Sequence, residues 1–219
     1  MNEREKISAS IIDAGLVAIV RVHHPELALP IAKALVAGGI RAVELTMTIP
    51  NALDAIRTID RELGNKILLG VGTVIDDDTC KAAIDAGAKY IISPITKPSL
   101  VENAHAMDRP VMLGAYTPSE AQAAYEAGSD FIKIFPADSL GPNYIRALLA
   151  PLTHLKIIPT GGVNLDTMES FLAAGSTALG IGSSLLKKNI INSENWSGLE
   201  SLSRQHVDKL AQLKSRSLA

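Results

Sequence analysis

Aromatic residues make up only 4% of this chain, with one Trp, three Phe and four Tyr among 219 residues. A core built from large rings is excluded, so Ala, Val, Ile and Leu must fill the interior, as they do in parallel-sheet proteins. Cysteine is represented by Cys80 alone, which rules out an internal disulfide and points to a reducing compartment. Neither sign of charge dominates. The formal net charge is -2, without the clustered basic excess of a nucleic-acid surface or a like-charge tail. No apolar stretch approaches the roughly 18 residues of a membrane helix, and the opening segment MNEREKISAS is charged where a leader would be apolar. These absences predict a cytoplasmic protein that binds neither nucleic acid nor membrane.

What the chain has is regularity. Hydrophobic residues reach 47%, the proportion of a well-cored globular protein. Short runs rich in Val and Ile recur: LVAIVR (16–21), RAVELT (41–46), KILLGVG (66–72), KYIIS (89–93), PVMLG (110–114), DFIKIF (130–135), LKIIPT (155–160) and TALGIG (177–182). Between them lie Ala-rich segments of helical periodicity, such as ELALPIAKALVAGG and SEAQAAYEAG. Strands alternating with helices at this spacing predict successive βαβ units and a parallel sheet.

The punctuation agrees. In AGGIRAVEL, AGAKYIIS, AGSDFIKI and AGSTALGI, a helix end is followed by Gly39, Gly87, Gly128 or Gly175 and then a strand. Glycine accepts the left-handed conformation that stops a helix. TPSE (117–120) reads as a capping box with Pro118 at the first helical position. Asp76 and Asn164 read as N-caps of the helices DDTCKAAID and LDTMESFLA. Eight near-equal units without a linker favour a single-domain (β/α)8 TIM barrel over residues 1–219, ahead of an open doubly wound sheet. One extra helix is expected before the first strand, at EREKISASIIDAG, and an amphipathic helix at the end, NWSGLESLSRQHVDKLAQLKS.

In such a barrel, reactive groups gather at the C-terminal ends of the strands. There the sequence places Arg21, Glu44, Thr46, GVGT (70–73), SP (93–94), Lys133, PTGG (159–162) and GIGSS (180–184). Lys133 stands in the middle of FIKIFPA, an otherwise apolar strand. If Ile132 and Ile134 face the helices, Lys133 points into the barrel. Desolvation there disfavours the ammonium, and a neutral amine attacks carbonyl carbon to form a Schiff base. A structural lysine, snorkelling or ion-paired, is the competing reading of this stretch. Glu44, in VELT, is a candidate proton carrier or the partner of a plain ion pair. Arg21 ends strand 1 and is suited to a substrate carboxylate, or to a surface salt bridge. TGG and GIGSS expose backbone N–H groups after the last two strands, where barrels often bind phosphate, with Ser183 and Ser184 expected to open a helix. His23 and His24 are adjacent, and His105, His154 and His206 lack ligand spacing, so no metal is expected. GVGT resembles a fragment of a dinucleotide fingerprint, but GVGTVI lacks the third glycine. Cys80 reads as packing on a helix.

Together these residues resemble the 2-keto-3-deoxy-6-phosphogluconate (KDPG) / 4-hydroxy-2-oxoglutarate (KHG) aldolase family. AGGIRAVELT, GVGTV, ISP, FIKIFPA, PTGGV and GIGSSL follow in the family's order, from about residue 15 to 190. The resemblance implies a trimeric class I aldolase that uses no metal or cofactor and acts on a 2-keto acid, phosphorylated in the KDPG case. It implies Lys133 as the Schiff-base lysine and Glu44 as the acid/base. It further implies Thr73 and Pro94 beside pyruvate, Arg21 on the carboxylate, and Gly161, Gly162, Gly182, Ser183 and Ser184 near the phosphate. One position departs from the pattern. Many members carry an arginine four residues after the glutamate, where this chain has Thr48; others carry it at the end of strand 1, as Arg21 does. A galactonate-series aldolase, a phosphosugar isomerase and a non-catalytic phosphate-binding protein are the alternative readings.

Overall fold

The computed structural model describes residues 1–217. Among them are eight strands: β1 (Leu16–Val20), β2 (Ala42–Thr46), β3 (Leu68–Gly72), β4 (Tyr90–Ile92), β5 (Val111–Ala115), β6 (Phe131–Ile134), β7 (Ile157–Pro159) and β8 (Leu179–Ile181). All the strand pairs are parallel, in the order β7-β6-β5-β4-β3-β2-β1-β8. The two ends of that series meet. Thr160 and Gly180 form a parallel bridge, and the Thr177 N–H donates to the Ile157 carbonyl. The sheet therefore curls into a nearly closed (β/α)8 barrel, and the open doubly wound alternative is set aside.

Ten helices accompany the strands among the described residues: α1 (Glu3–Ala14), α2 (Ala28–Ala37), α3 (Ala52–Leu63), α4 (Asp77–Asp85), α5 (Ser99–Ala106), α6 (Pro118–Glu126), α7 (Gly141–Leu149), α8 (Met168–Ala173), α9 (Lys188–Asn192) and α10 (Trp196–Ser217). The expected stop signals are in place: Gly39, Gly87, Gly128 and Gly175 have φ of 92, 121, 93 and 102°. Thr117 caps α6 through the reciprocal box with Glu120, and the Asp76 carboxylate accepts from the Thr79 N–H at 2.7 Å to start α4. Asn164 corrects the reading. Its side chain accepts from the N–H groups of Asp166 and Thr167, which stabilises a turn, and α8 begins only at Met168. Cys80 is buried on α4; burial first, then the Asp77 charge, push its thiol up to about 11, in keeping with packing.

Strand alternation sorts the apolar side chains into two layers. Val43, Leu45, Leu69, Val71, Ile132 and Ile134 point outward and pack beneath the helices. Val17, Ala42, Tyr90, Ile92, Met112, Phe131 and Ile158 point inward. Each fully buried branched side chain contributes about 1.5–3 kcal/mol relative to exposure, so many small contributions replace a few large rings. Helix α1 has a specific job in this arrangement. It is capped by Asn2 and Glu5, and it presents Ile7 and Ile11 to the inner layer at the N-terminal ends of the strands. Arg4 holds it there by contacting His105 and Asp130. With that mouth closed, the barrel opens at the C-terminal ends of its strands.

Candidate active site

Inside the barrel, β6 turns Lys133 inward between two outward isoleucines. Lys133 is only 5% exposed and Glu44, on β2, only 2%. The lysine Nζ donates to Glu44 Oε1 at 3.5 Å, long for a hydrogen bond but close for an ion pair. It also lies 5.3 Å from the centroid of the Phe135 ring, within cation–π range. Burying two charges costs several kcal/mol per ion even after relaxation. Here each ion offsets the other, with the Phe135 ring beside the ammonium.

The room for Glu44 comes from the neighbouring strand. In register, Glu44 faces Gly70 and Thr46 faces Gly72, and side chains lean along the strand. The carboxylate leans so far that a Cβ added at Gly72 would overlap it. Any residue but glycine at 72 would push the acid from its place beside the lysine.

Lys133 opens on a cavity of about 630 Å³, which Glu44 itself does not line. The cavity is lined by Lys133, by Arg21 at the end of β1, by Gly161 and Gly162 after β7, and by Gly182, Ser183 and Ser184 after β8. Arg21 is exposed, and among the described residues no ion pair engages it. Gly161 and Gly162 both have positive φ, 105 and 70°, and their loop packs on the backbone of Ala137 and Asp138. Ser183 and Ser184 do not open a helix, contrary to expectation. They sit in a turn whose Leu185 and Leu186 N–H groups both donate to the Gly182 carbonyl, and α9 starts only at Lys188. The Ser184 hydroxyl donates to the Val163 carbonyl, which ties the two glycine loops together.

Thr73 and Pro94 stand at the ends of β3 and β4 without lining the cavity. Thr73 holds φ of 61°, a left-handed conformation that a β-branched residue adopts only under strain. Thr48, where an arginine is common in the resembling family, bonds instead to the Thr46 hydroxyl at 2.8 Å.

The cavity also includes Thr160, part of the PTGG run, and Asn164, read from sequence only as a cap, together with Ile19, Phe135, Asp138 and Lys188, which sequence reasoning did not single out. Phe135 was within reach, since it lies two residues beyond Lys133 and shares its face. Asp138 comes from a loop and Lys188 from the first position of the five-residue α9, segments too irregular or short for periodicity to mark direction. Among the described residues, no group of three or more His, Cys, Asp or Glu side chains is placed to hold a metal. Chemically, the arrangement unites a buried amine, a carboxylate within proton-transfer reach, an exposed guanidinium and two glycine-rich loops around one opening.

Comparison with known proteins gives a consistent picture. Residues 7–202 match the family described as KDPG and KHG aldolase. The chain is 32% identical over 201 residues to the 2-dehydro-3-deoxy-phosphogluconate aldolase of Pseudomonas aeruginosa, covering 91% of each chain. It is similar to a solved native KDPGal structure, with a TM-score of 0.84 and 29% identity over 91% of this chain and 96% of the other. A KDPG aldolase from Legionella pneumophila, solved with pyruvate captured as a covalent carbinolamine intermediate, gives a TM-score of 0.83 at 28% identity, covering 90% of this chain and 96% of that one.

Proposed function

This chain belongs to the KDPG and KHG aldolase family, and we propose that Lys133 is its Schiff-base lysine and Glu44 its acid/base. It is an aldehyde-lyase, a class I aldolase that cleaves KDPG to pyruvate and glyceraldehyde 3-phosphate, and/or KHG to pyruvate and glyoxylate. One observation carries the assignment of residues: the buried amine and carboxylate lie 3.5 Å apart, and the amine opens on the cavity.

The reaction follows from that geometry. Lys133 passes a proton to Glu44, and the freed Nζ attacks the C2 ketone of the substrate. The carbinolamine loses its oxygen as water, with Glu44 supplying the proton, and leaves an iminium. Glu44, now a carboxylate, takes the proton from the C4 hydroxyl. The C3–C4 bond breaks, its electron pair flows to the iminium nitrogen, and the aldehyde departs. The remaining enamine is protonated at C3, and water hydrolyses the iminium to release pyruvate and restore the amine.

The other groups bind. Arg21 holds the substrate carboxylate, while the backbone N–H groups around Gly161, Gly162, Gly182, Ser183 and Ser184 hold the phosphate of a phosphorylated substrate. The family resemblance assigns Thr73 and Pro94 to the pyruvate end, although neither lines the cavity. The enzyme works in the cytoplasm as a homotrimer of one-domain subunits, as the family resemblance implies.

Trapping tests the central assignment. Pyruvate with borohydride should add one reduced pyruvyl group to Lys133, read by peptide mass; an unmodified Lys133 refutes the Schiff base. A second reading, cleavage of the galactonate-series epimer, is supported by the likeness to the native KDPGal structure. It is separated by comparing kcat/KM for the two C4 epimers and for KHG.

A further inference from the structure

The inner layer contains one polar atom that the mechanism does not use. Tyr90 opens β4 and is 1% exposed. Its hydroxyl is buried and finds no hydrogen-bond partner among the described residues. A buried hydroxyl left unbonded is costly, and native proteins rarely keep one without a use. Phenylalanine would fill the same space without that cost.

Register shows what the hydroxyl is near. Glu44 pairs with Gly70 across β2 and β3, and Gly70 pairs with Tyr90 across β3 and β4. A Cβ at Gly70 would overlap the Tyr90 ring at its hydroxyl end, just as a Cβ at Gly72 would overlap the Glu44 carboxylate. The ring tip and the carboxylate thus occupy consecutive inward notches of one strand, whose backbone positions are about 7 Å apart. One water bridges oxygens up to about 5.5 Å apart, a gap of the size left between side chains that fill neighbouring notches. Glu44 is short of donors too: among the described residues its side chain is bonded only to Lys133, at 3.5 Å, although a carboxylate accepts at several positions.

We propose that Tyr90 is a positioning residue for the acid/base, its hydroxyl donating through one bound water to the Glu44 carboxylate. The proposal rests on the assignment of Glu44 made above. Burial first, and then the Glu44 charge, push the Tyr90 phenol well above its ordinary range. It therefore stays protonated and faces the carboxylate as a donor. The bond orients the acid towards Lys133. Other groups around Glu44 do not duplicate this. Among the described residues the titratable side chains facing it are Lys133 and Tyr90; β1, β5 and β7 turn Ile19, Met112 and Ile158 inward, Ala178 packs in the same layer just before β8, and Arg21 sits exposed at the rim.

The test is Tyr90→Phe, which keeps the ring over Gly70 and removes one oxygen. The acid limb of kcat/KM against pH should move up by about half a unit to one unit. Activity on that limb should fall about three- to tenfold, while the melting temperature holds or rises. Glu44→Gln and the double variant run beside it. Tyr90→Phe should have no further effect once Glu44 is Gln. If Glu44→Gln is slow but the Tyr90→Phe profile superimposes on that of the parent, the positioning role is overturned. An equal loss from Tyr90→Phe in both backgrounds also overturns it, since that is a packing effect. Full turnover in Glu44→Gln overturns the acid/base assignment itself.

Discussion

Replacing Glu44 by Leu and Lys133 by Met, singly and together, separates what this pair does for the fold from what it does for the reaction. At 3.5 Å the attraction is about 4–5 kcal/mol for an effective dielectric of 20. Removing one partner forfeits it and strands the other. The stranded group escapes by neutralising, which sets an upper limit on the damage. At pH 7 a carboxyl with an ordinary value of about 4.3 is held neutral at a cost of about 3.7 kcal/mol, and an amine of about 10.4 at about 4.6 kcal/mol. Lys133→Met should therefore cost up to about 4 kcal/mol and Glu44→Leu up to about 5. The double variant removes both charges and both desolvation penalties, leaving apolar side chains of similar volume. It should lie near the parent, or above it by about 1–4 kcal/mol.

The assay is urea denaturation at pH 7 and again at pH 5, with m-values checked for constancy. Acidification cheapens a neutral carboxyl, so the limit for Lys133→Met falls to about 1 kcal/mol at pH 5. The limit for Glu44→Leu rises. Opposite pH trends in the two single variants, with strong non-additivity in the double, identify a desolvated ion pair. Single-variant costs that add within about 0.5 kcal/mol and ignore pH would refute the reasoning. All three variants should be inactive, so a stable double variant would show a pair retained for chemistry at the expense of the fold.

Three more substitutions follow from the same geometry. Gly72→Ala places a methyl where the Glu44 carboxylate sits and should lower kcat by about tenfold or more. Gly182→Ala, whose added Cβ would lie 4.0 Å from Ile19, should leave the melting temperature unchanged; parent-level kcat in Gly72→Ala would refute the close approach. His206, 1% exposed on α10, has its value lowered from 6.5, first by burial. The unfolded chain takes up that proton before the folded one does, so its contribution is intact above pH 6.5 and is lost as pH falls from there towards the folded value. His206→Leu should flatten the melting temperature across that window, and an unchanged slope would exclude His206 as its source.

Much of this molecule was legible because its signals are periodic. Eight Val- and Ile-rich runs with helical segments between them announce the barrel, and every run contains a strand. Most of these strands are shorter than the runs, since Arg41, Lys66 and Lys89 head their runs but stand outside the strands. Lys133 was visible as one charge in an apolar strand, and alternation alone put it inside. What stayed hidden depends on which strands are neighbours. Asn164 and Ser183 were misread because a capping residue in a loop serves a turn as readily as a helix. Asp138 and Lys188 enter the cavity from segments with no periodicity to orient them.

GVGT shows the limit most clearly. As a string, its glycines invite comparison with a phosphate-binding fingerprint. In the barrel they are inward positions two residues apart, and each gives up its side-chain volume to a neighbouring strand: Gly70 to the Tyr90 ring, Gly72 to the Glu44 carboxylate. Glycine within a strand weakens it, so such a pair persists only where the space is used. Here the space lets a carboxylate on β2 reach across the barrel to an amine on β6. The neighbouring notch, at Gly70, admits the Tyr90 phenol. The β3 glycines therefore act on the reaction without touching it, by deciding where the acid can stand. If that is so, restoring volume at 72 should harm turnover far more than stability, whereas a merely structural glycine would lose both together.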